Sequence, residues 1–295
     1  MLTISNLTKV IDDSIILEDI SLTVNKGDIL AIVGSNGCGK TTLMTTVMNI
    51  VRPEKGYIEY DGVKHDKGTV LKDFYFIQDY VFFPKGRSIA SIVDYEKCFY
   101  ENFDEDLLCE LLGEFNFNIH DVPSRMSKGQ KKIIAFIICL SSRANVLILD
   151  ELIDGLDIVM KKRIWSYIID RTIEDETTVM ISSHDIRELE NICNKYVLMH
   201  EGRIIKNNDL EIEKEGLKRI QFSIDSDFNA LKTESYEVKS FSQYGSVVNA
   251  IVEGDFNLFE EDLKENYQVG LYEQFEVSLE DIMLFNLKEE GYSYE

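Results

Sequence analysis

Residues 34 to 42, Gly34-Ser35-Asn36-Gly37-Cys38-Gly39-Lys40-Thr41-Thr42, follow directly on the apolar run Ile29-Leu30-Ala31-Ile32-Val33. An apolar strand, a glycine-rich turn and a helix start in that order restrict this part of the chain to a strand, loop and helix unit. The G-x-x-x-x-G-K-[ST] spacing gives that unit a chemistry. Gly34, Gly37 and Gly39 let the backbone bend tightly and turn its amides inward, so a concavity of partial positive charge meets phosphate oxygens. The helix that follows adds its positive end. Lys40 is spaced to reach the β- and γ-phosphates, and the Thr41 hydroxyl to ligate the magnesium ion bridging them. The loop from Gly34 to Thr42 is therefore expected to bind a nucleoside triphosphate.

At 295 residues and 44% hydrophobic, the chain is long enough for one main domain and an appendix. No stretch approaches the roughly 18 apolar residues of a membrane span, and the longest candidate, Ile133 to Leu140, follows Lys131-Lys132. The start, Met1-Leu2-Thr3-Ile4-Ser5-Asn6, lacks the charged and then apolar pattern of a signal peptide, which predicts a cytoplasmic location. Cys38, Cys98, Cys109, Cys139 and Cys193 form no C-x-x-C pair, so reduced thiols are expected rather than a disulfide frame or zinc site. His65, His120 and His200 lack partners at metal-ligand spacing and are read as solvated or core histidines. A net charge of -22 leaves no basic footprint for nucleic acid and nothing to gain from an anionic lipid surface. Membrane association would therefore run through a protein partner. The charge is uneven: residues 211 to 295 carry 20 acidic and 7 basic side chains.

Strand patterns are expected at Leu2 to Leu7, Ile15 to Val24 and Asp73 to Gln78, and again at Val146 to Leu149, Thr178 to Ser182 and Tyr196 to Met199. Helical spacing runs from Thr41 to Val51 before Arg52-Pro53, and a helix-rich segment from Ser88 to Phe117. Gly56 to Gly62 reads as a short hairpin arm. This alternation predicts an α/β fold with a mostly parallel sheet covered by helices.

Asn145-Val146-Leu147-Ile148-Leu149-Asp150-Glu151 is a buried strand from whose C-terminal end two carboxylates emerge, the end at which open parallel sheets bind ligands. Asp150 is placed to hold magnesium, directly or through water. Glu151 is placed to polarise a water for in-line attack. Between the loop and this strand lies Met126-Ser127-Lys128-Gly129-Gln130, opening the apolar segment Ile133 to Leu140. Alone, Ser127 would read as a helix cap; with hydroxyl and backbone donors at a helix start it also reads as a second anion-binding end.

With these three motifs in order, the chain resembles the nucleotide-binding subunit of an ABC transporter. The family signature LSGGQ appears here as Met126-Ser127-Lys128-Gly129-Gln130, with Lys128 at the first glycine, as in a branch of bacterial exporter ATPases. The resemblance covers roughly residues 1 to 210. It implies a P-loop NTPase of ABC type: a parallel core, an antiparallel β arm and a helical subdomain. ATP and Mg2+ are then the implied ligands. Gln78 matches the family's glutamine loop, which contacts magnesium or the attacking water. Gly155-Leu156-Asp157 resembles the loop crossing the dimer interface, and His184 matches the switch histidine at the γ-phosphate.

The resemblance further implies two partners. A second ATP-binding subunit, in a homodimer or heterodimer, would cap ATP with the residues matching Ser127, Gly129 and Gln130. An integral membrane subunit would dock near Phe82-Phe83-Pro84 and Tyr95 to Phe103, unless those aromatics are core. The expected function is ATP hydrolysis powering export, at the cytoplasmic face of the membrane through that partner; a soluble regulatory or assembly ATPase is the alternative. Besides Lys128, two departures stand out. No aromatic lies near Ile11 to stack on adenine, and Leu152 stands where the Asp-Glu pair is usually followed by proline. Residues 211 to 295 read as a small α+β appendix: strands at Arg219 to Ile224, Tyr236 to Phe241, Val247 to Val252 and Gln268 to Phe275, helices at Phe256 to Asn266 and Ser278 to Leu287. Ser278-Leu279-Glu280-Asp281-Ile282 resembles tails of the exporter branch.

Overall fold

The computed structural model describes residues 1–66, 68–231 and 233–291. Two compact units divide the chain, Met1–Asn207 and Asn208–Glu295.

The first unit opens with β1 (Leu2–Ile11) and β2 (Ser14–Val24), followed by β3 (Ile29–Gly34) and α1 (Lys40–Val47). Next come β4 (Lys55–Tyr60), β5 (Val63–Lys64), β6 (Phe74–Ile77), α2 (Ile89–Glu96), α3 (Glu105–Glu114) and α4 (Lys128–Ser141). β7 (Val146–Asp150), α5 (Ile158–Asp175), β8 (Thr178–Ser182), α6 (Ile186–Glu190) and β9 (Lys195–His200) follow, and β10 (Arg203–Asp209) runs across the boundary at Asn207.

A six-stranded sheet has the order β10-β9-β3-β8-β7-β6, with β3 parallel to both neighbours and β6, β7 and β8 parallel in turn. Its central strands are buried on both faces, which is why their sequences are apolar without alternation. A second sheet, β2-β1-β4-β5, is antiparallel. Leu2, Ile4, Leu7, Ile20, Leu22 and Val24 of this sheet join Leu30, Ile32, Leu43, Ile148 and Met199 in one core. His65 is half-buried, edge-on to Phe74 with Nδ1 3.0 Å from the Val47 carbonyl.

In this unit β1 and α1 each end four residues from the boundary read in the sequence. β1 runs on to Ile11 because a bulge at Asn6 (φ 47°) shifts its register, and Asp12 and Asp13 (φ 48° and 62°) make the two-residue turn into β2. α1 stops at Val47 rather than Val51. Asn49 at φ 56° ends it, with the Asn49 N–H on Thr46 O (2.9 Å) and the Ile50 N–H on Thr45 O (3.0 Å), a Schellman closure.

The second unit holds α7 (Leu210–Glu215), β11 (Leu217–Ser223), β12 (Tyr236–Tyr244), β13 (Val247–Gly254), α8 (Phe256–Asn266), β14 (Tyr272–Phe275) and α9 (Leu279–Glu289). Its sheet, β12-β13-β11-β14, is antiparallel. Ile220, Phe222, Val248, Ala250 and Val252 alternate along it onto one face, where Phe259 and Leu263 of α8 complete a separate core. The strand expected at Gln268 to Phe275 is confined to Tyr272–Phe275.

Candidate functional site

Register places the site. Ile32 pairs with Ser182, Asp150 with Ser182, and Ile77 with Leu149, so β3, β6, β7 and β8 end at one edge of the sheet. Gly34, Gln78, Asp150, Glu151 and Ser182 therefore emerge side by side, at the C-terminal ends where parallel sheets bind ligands.

The phosphate loop, including Ser35, Asn36, Cys38 and Thr42, bridges β3 and α1. Gly34 is required by close approach: a Cβ there would lie 2.2 Å from the Met199 carbonyl oxygen. Gly39, at φ 107°, caps α1, and a Cβ on it would meet Leu17 Cδ2 at 2.8 Å and Ile16 O at 3.0 Å. The β1–β2 hairpin thus runs beside the loop. Near its tip Ile11 and Ile15 carry exposed apolar surface. Lys40 is buried, with its ammonium donating to Gly34 O (2.8 Å) and Ser35 O (3.1 Å). It is folded back onto the loop that phosphates would fill.

Asp150 is 2% exposed and accepts two hydroxyls, Thr41 Oγ1 at 2.7 Å and Ser182 Oγ at 2.6 Å. A carboxylate and a hydroxyl in contact at the mouth of the loop are hard oxygen donors, which fits magnesium. Gln78 does not join them. Its amide makes no hydrogen bond among the described residues and instead lines an aromatic groove.

Glu151 occupies the left-handed region at φ 51°, with its N–H on Ser182 O (3.1 Å) and Ser182 Oγ (3.2 Å). Its Oε1 lies 2.9 Å from His184 Nε2. Partial burial raises the Glu151 carboxyl above its ordinary range, Asp79, Asp150 and Asp154 add to the rise, and His184 opposes it. A carboxyl with a raised folded-state pKa costs stability above that pKa, and the cost vanishes below the unfolded value. Glu151→Gln is therefore expected to raise Tm near pH 8. The gain should disappear as pH falls through the ordinary glutamate range, which thermal melts across pH will check.

Two residues that sequence reasoning did not single out organise this corner. Asp154 accepts Ser183 Oγ (2.6 Å) and the His184 N–H (3.2 Å). Lys132 on α4, 6% exposed, donates to the carbonyls of Glu151 (2.6 Å) and Asp154 (3.1 Å) and to Asp79 Oδ1 (3.1 Å). The available signal was a lysine directly before the apolar run Ile133 to Leu140.

Ser127, Gly129 and Gln130 stand at the start of α4, where Ser127 Oγ accepts the Gln130 N–H (3.2 Å) and Gln130 Oε1 accepts the Ser127 N–H (3.1 Å). No hydrogen bond links them to the phosphate loop among the described residues. Nearby, Asp157 caps α5 and leaves Ile158 and Val159 exposed.

A groove of 710 Å³ is lined by Gln78, Tyr80, Phe82, Pro84, Tyr95 and Glu96, among others. Tyr80, Phe82 and Tyr95 are 71%, 70% and 64% exposed, whereas Phe83 is buried, so the aromatics divide between surface and core. The five cysteines are free, and no described helix is long and apolar enough to cross a membrane.

The family described as ABC transporter matches residues 17–154. The ABC transporter ATP-binding protein YtrB of Bacillus subtilis is 27% identical over 286 residues, 96% of this chain and 97% of YtrB. The spermidine/putrescine import ATP-binding protein PotA of Thermotoga maritima is 28% identical over 248 residues, 80% of this chain and 66% of PotA. The dimeric bacterial ABC transporter cassette MJ0796 has a similar fold, with TM-score 0.64 and 19% identity over 71% of this chain and 99% of the cassette. The matched segment, which runs from β2 through the phosphate loop to the Glu151–Asp154 turn, is thus an ABC transporter segment, the fold around it is that of such cassettes, and the chain is similar over nearly its whole length to an ABC transporter ATP-binding protein.

Proposed function

We propose that this ATP-binding subunit hydrolyses ATP to power transport, in the direction of export, through a separate membrane-spanning protein. The observation that carries the reading is the meeting of the phosphate loop, Asp150, Glu151 and His184 at one sheet edge, while among the described residues no hydrogen bond ties Ser127, Gly129 or Gln130 at the start of α4 to them. Such an arrangement is half of a site. A second ATP-binding subunit supplies Ser127, Gly129 and Gln130 to the nucleotide held by Gly34 to Thr42, and the exposed Ile158 and Val159 beside the Gly155–Asp157 loop suit burial there.

Within one half, Lys40 leaves the Gly34 and Ser35 carbonyls for the β- and γ-phosphates, a stronger charge-assisted contact. Thr41 and Asp150 would hold magnesium, with Gln78 reaching in as its loop moves; when bound, the ion would neutralise phosphate charge. Glu151 orients the attacking water and accepts its proton, and His184 holds Glu151 and meets the γ-phosphate. Ile11 and Ile15 offer the base apolar contact in place of an aromatic stack. Product release loosens the dimer, so the output is movement.

The aromatic groove beside Gln78 receives a helix of the membrane partner, which holds the subunit at the cytoplasmic face of the membrane. Export is supported by Lys128 in the signature and by the Ser278 to Ile282 tail. Similarity to PotA, a protein named for import, makes accumulation or efflux in inside-out vesicles the deciding assay.

Affinity capture from native membranes tests the partner. An integral membrane protein should be recovered with the wild-type chain, and Phe82→Asp should lower that recovery at least about 10-fold, as expected for an exposed aromatic anchor, without changing ATP affinity. Recovery of a soluble complex alone would overturn the transporter reading.

A further inference from the structure

We infer that Lys132 is a positioning residue that sets the catalytic turn Glu151–Asp154 and makes that turn answer to the glutamine loop. The inference rests on the hydrolytic role given above to Glu151.

Glu151 is held at φ 51°, a conformation unfavourable for a residue with a side chain, and Leu152 provides none of the rigidity that a proline would give the next position. Something else must hold the turn. The Asp154 N–H reaches Glu151 O at 3.3 Å, a long bond, while the Lys132 ammonium grips the same carbonyl at 2.6 Å and the Asp154 carbonyl at 3.1 Å. One buried cation therefore ties both ends of the turn together. The Asp154 carboxylate, oriented by that grip, in turn holds Ser183 Oγ and the His184 N–H. Lys132 thus fixes Glu151 directly, through its carbonyl, and His184 through Asp154.

The third partner is different in kind. Asp79 follows Gln78, its carboxylate is 59% exposed, and it meets Lys132 at 3.1 Å. A lysine donates three hydrogen bonds, and here two go to fixed carbonyls and one to a carboxylate on an exposed loop. Movement of the loop would remove the Asp79 carboxylate from a buried ammonium and redistribute its donors, so the geometry of Glu151 follows the position of Asp79.

Steady-state turnover and nucleotide affinity of the full chain will test this, using a fluorescent ATP analogue for binding. Lys132→Met should lower kcat about 10-fold or more with ATP affinity within about twofold, because the phosphate loop is untouched. Asp79→Asn should lower kcat about threefold, and adding it to Lys132→Met should cost nothing further, since Asp79 acts through the lysine. A proportional loss of affinity and kcat in Lys132→Met would indicate a merely structural lysine and overturn the inference. So would additive effects in the double variant. Should Lys132→Met fail to fold, Asp79→Asn, changed at an exposed side chain, still decides: wild-type kcat there overturns the link. An absence of hydrolysis by the wild-type chain would instead sink the hydrolytic function itself.

Discussion

Glu151→Gln is expected to lower steady-state ATP hydrolysis by about 100-fold or more while leaving ATP binding within a few-fold of wild type. Glu151 is the carboxylate that emerges beside the buried Asp150, 23% exposed and 2.9 Å from His184 Nε2. A glutamine preserves its shape and can still meet the histidine, yet it cannot accept a proton from water. The loop that holds the phosphates is unchanged, as is the Ser127 end of α4, so closure on ATP should proceed and then stall. Light scattering with ATP and magnesium should show a dimer that persists, whereas the wild type returns to monomer as ATP is consumed. Unchanged turnover would remove Glu151 from the proposed role.

Much of this site was legible because it is written in continuous stretches. Ile29 to Val33 and Val146 to Leu149 are buried on both faces, so their sequences are uniformly apolar, and each delivers its motif at the strand end. The phosphate loop and the Asp150-Glu151 pair needed only that reading. Features dependent on one polar residue at an unusual backbone angle were not legible. Asp12-Asp13 turns the first hairpin without the Asn-Gly or Asp-Gly signal, and Asn49 ends α1 four residues before the expected stop, ahead of the more visible Arg52-Pro53.

The work of Lys132 and Asp154 was hidden for another reason. Their partners lie 19 and 22 residues away for Lys132, and 29 and 30 for Asp154, and are brought together only by the sheet register. The aromatics after Gln78 show the same limit. Phe82 and Phe83 are adjacent in sequence, but one is exposed and the other buried, a distinction set by the path of the loop. Gln78 was identified by resemblance, and in this structure it lines the groove rather than meeting Thr41 and Asp150.

Lys40→Ala should lower ATP affinity at least about 100-fold, since the variant loses the one ammonium inside the loop and its charge-assisted contacts with phosphate, together worth about 3 kcal/mol. This variant should be inactive at ordinary ATP concentrations. Ser127→Arg should be inactive for a different reason. It binds ATP in its own loop but puts a bulky cation at the start of α4, the surface proposed to face the other nucleotide. Loss of the cap there costs only about 1 kcal/mol, so the helix should persist.

These two defects lie on opposite sides of the proposed interface, and a dimer containing one of each would keep a single intact site. The most direct test is therefore to mix Lys40→Ala and Ser127→Arg chains in equal amounts and measure ATP turnover. Two copies sharing each site in a two-fold dimer predict recovery to about a quarter of the wild-type rate, because random pairing leaves one site in four whole. Turnover no greater than that of the two inactive variants measured separately would contradict a site completed by a second copy.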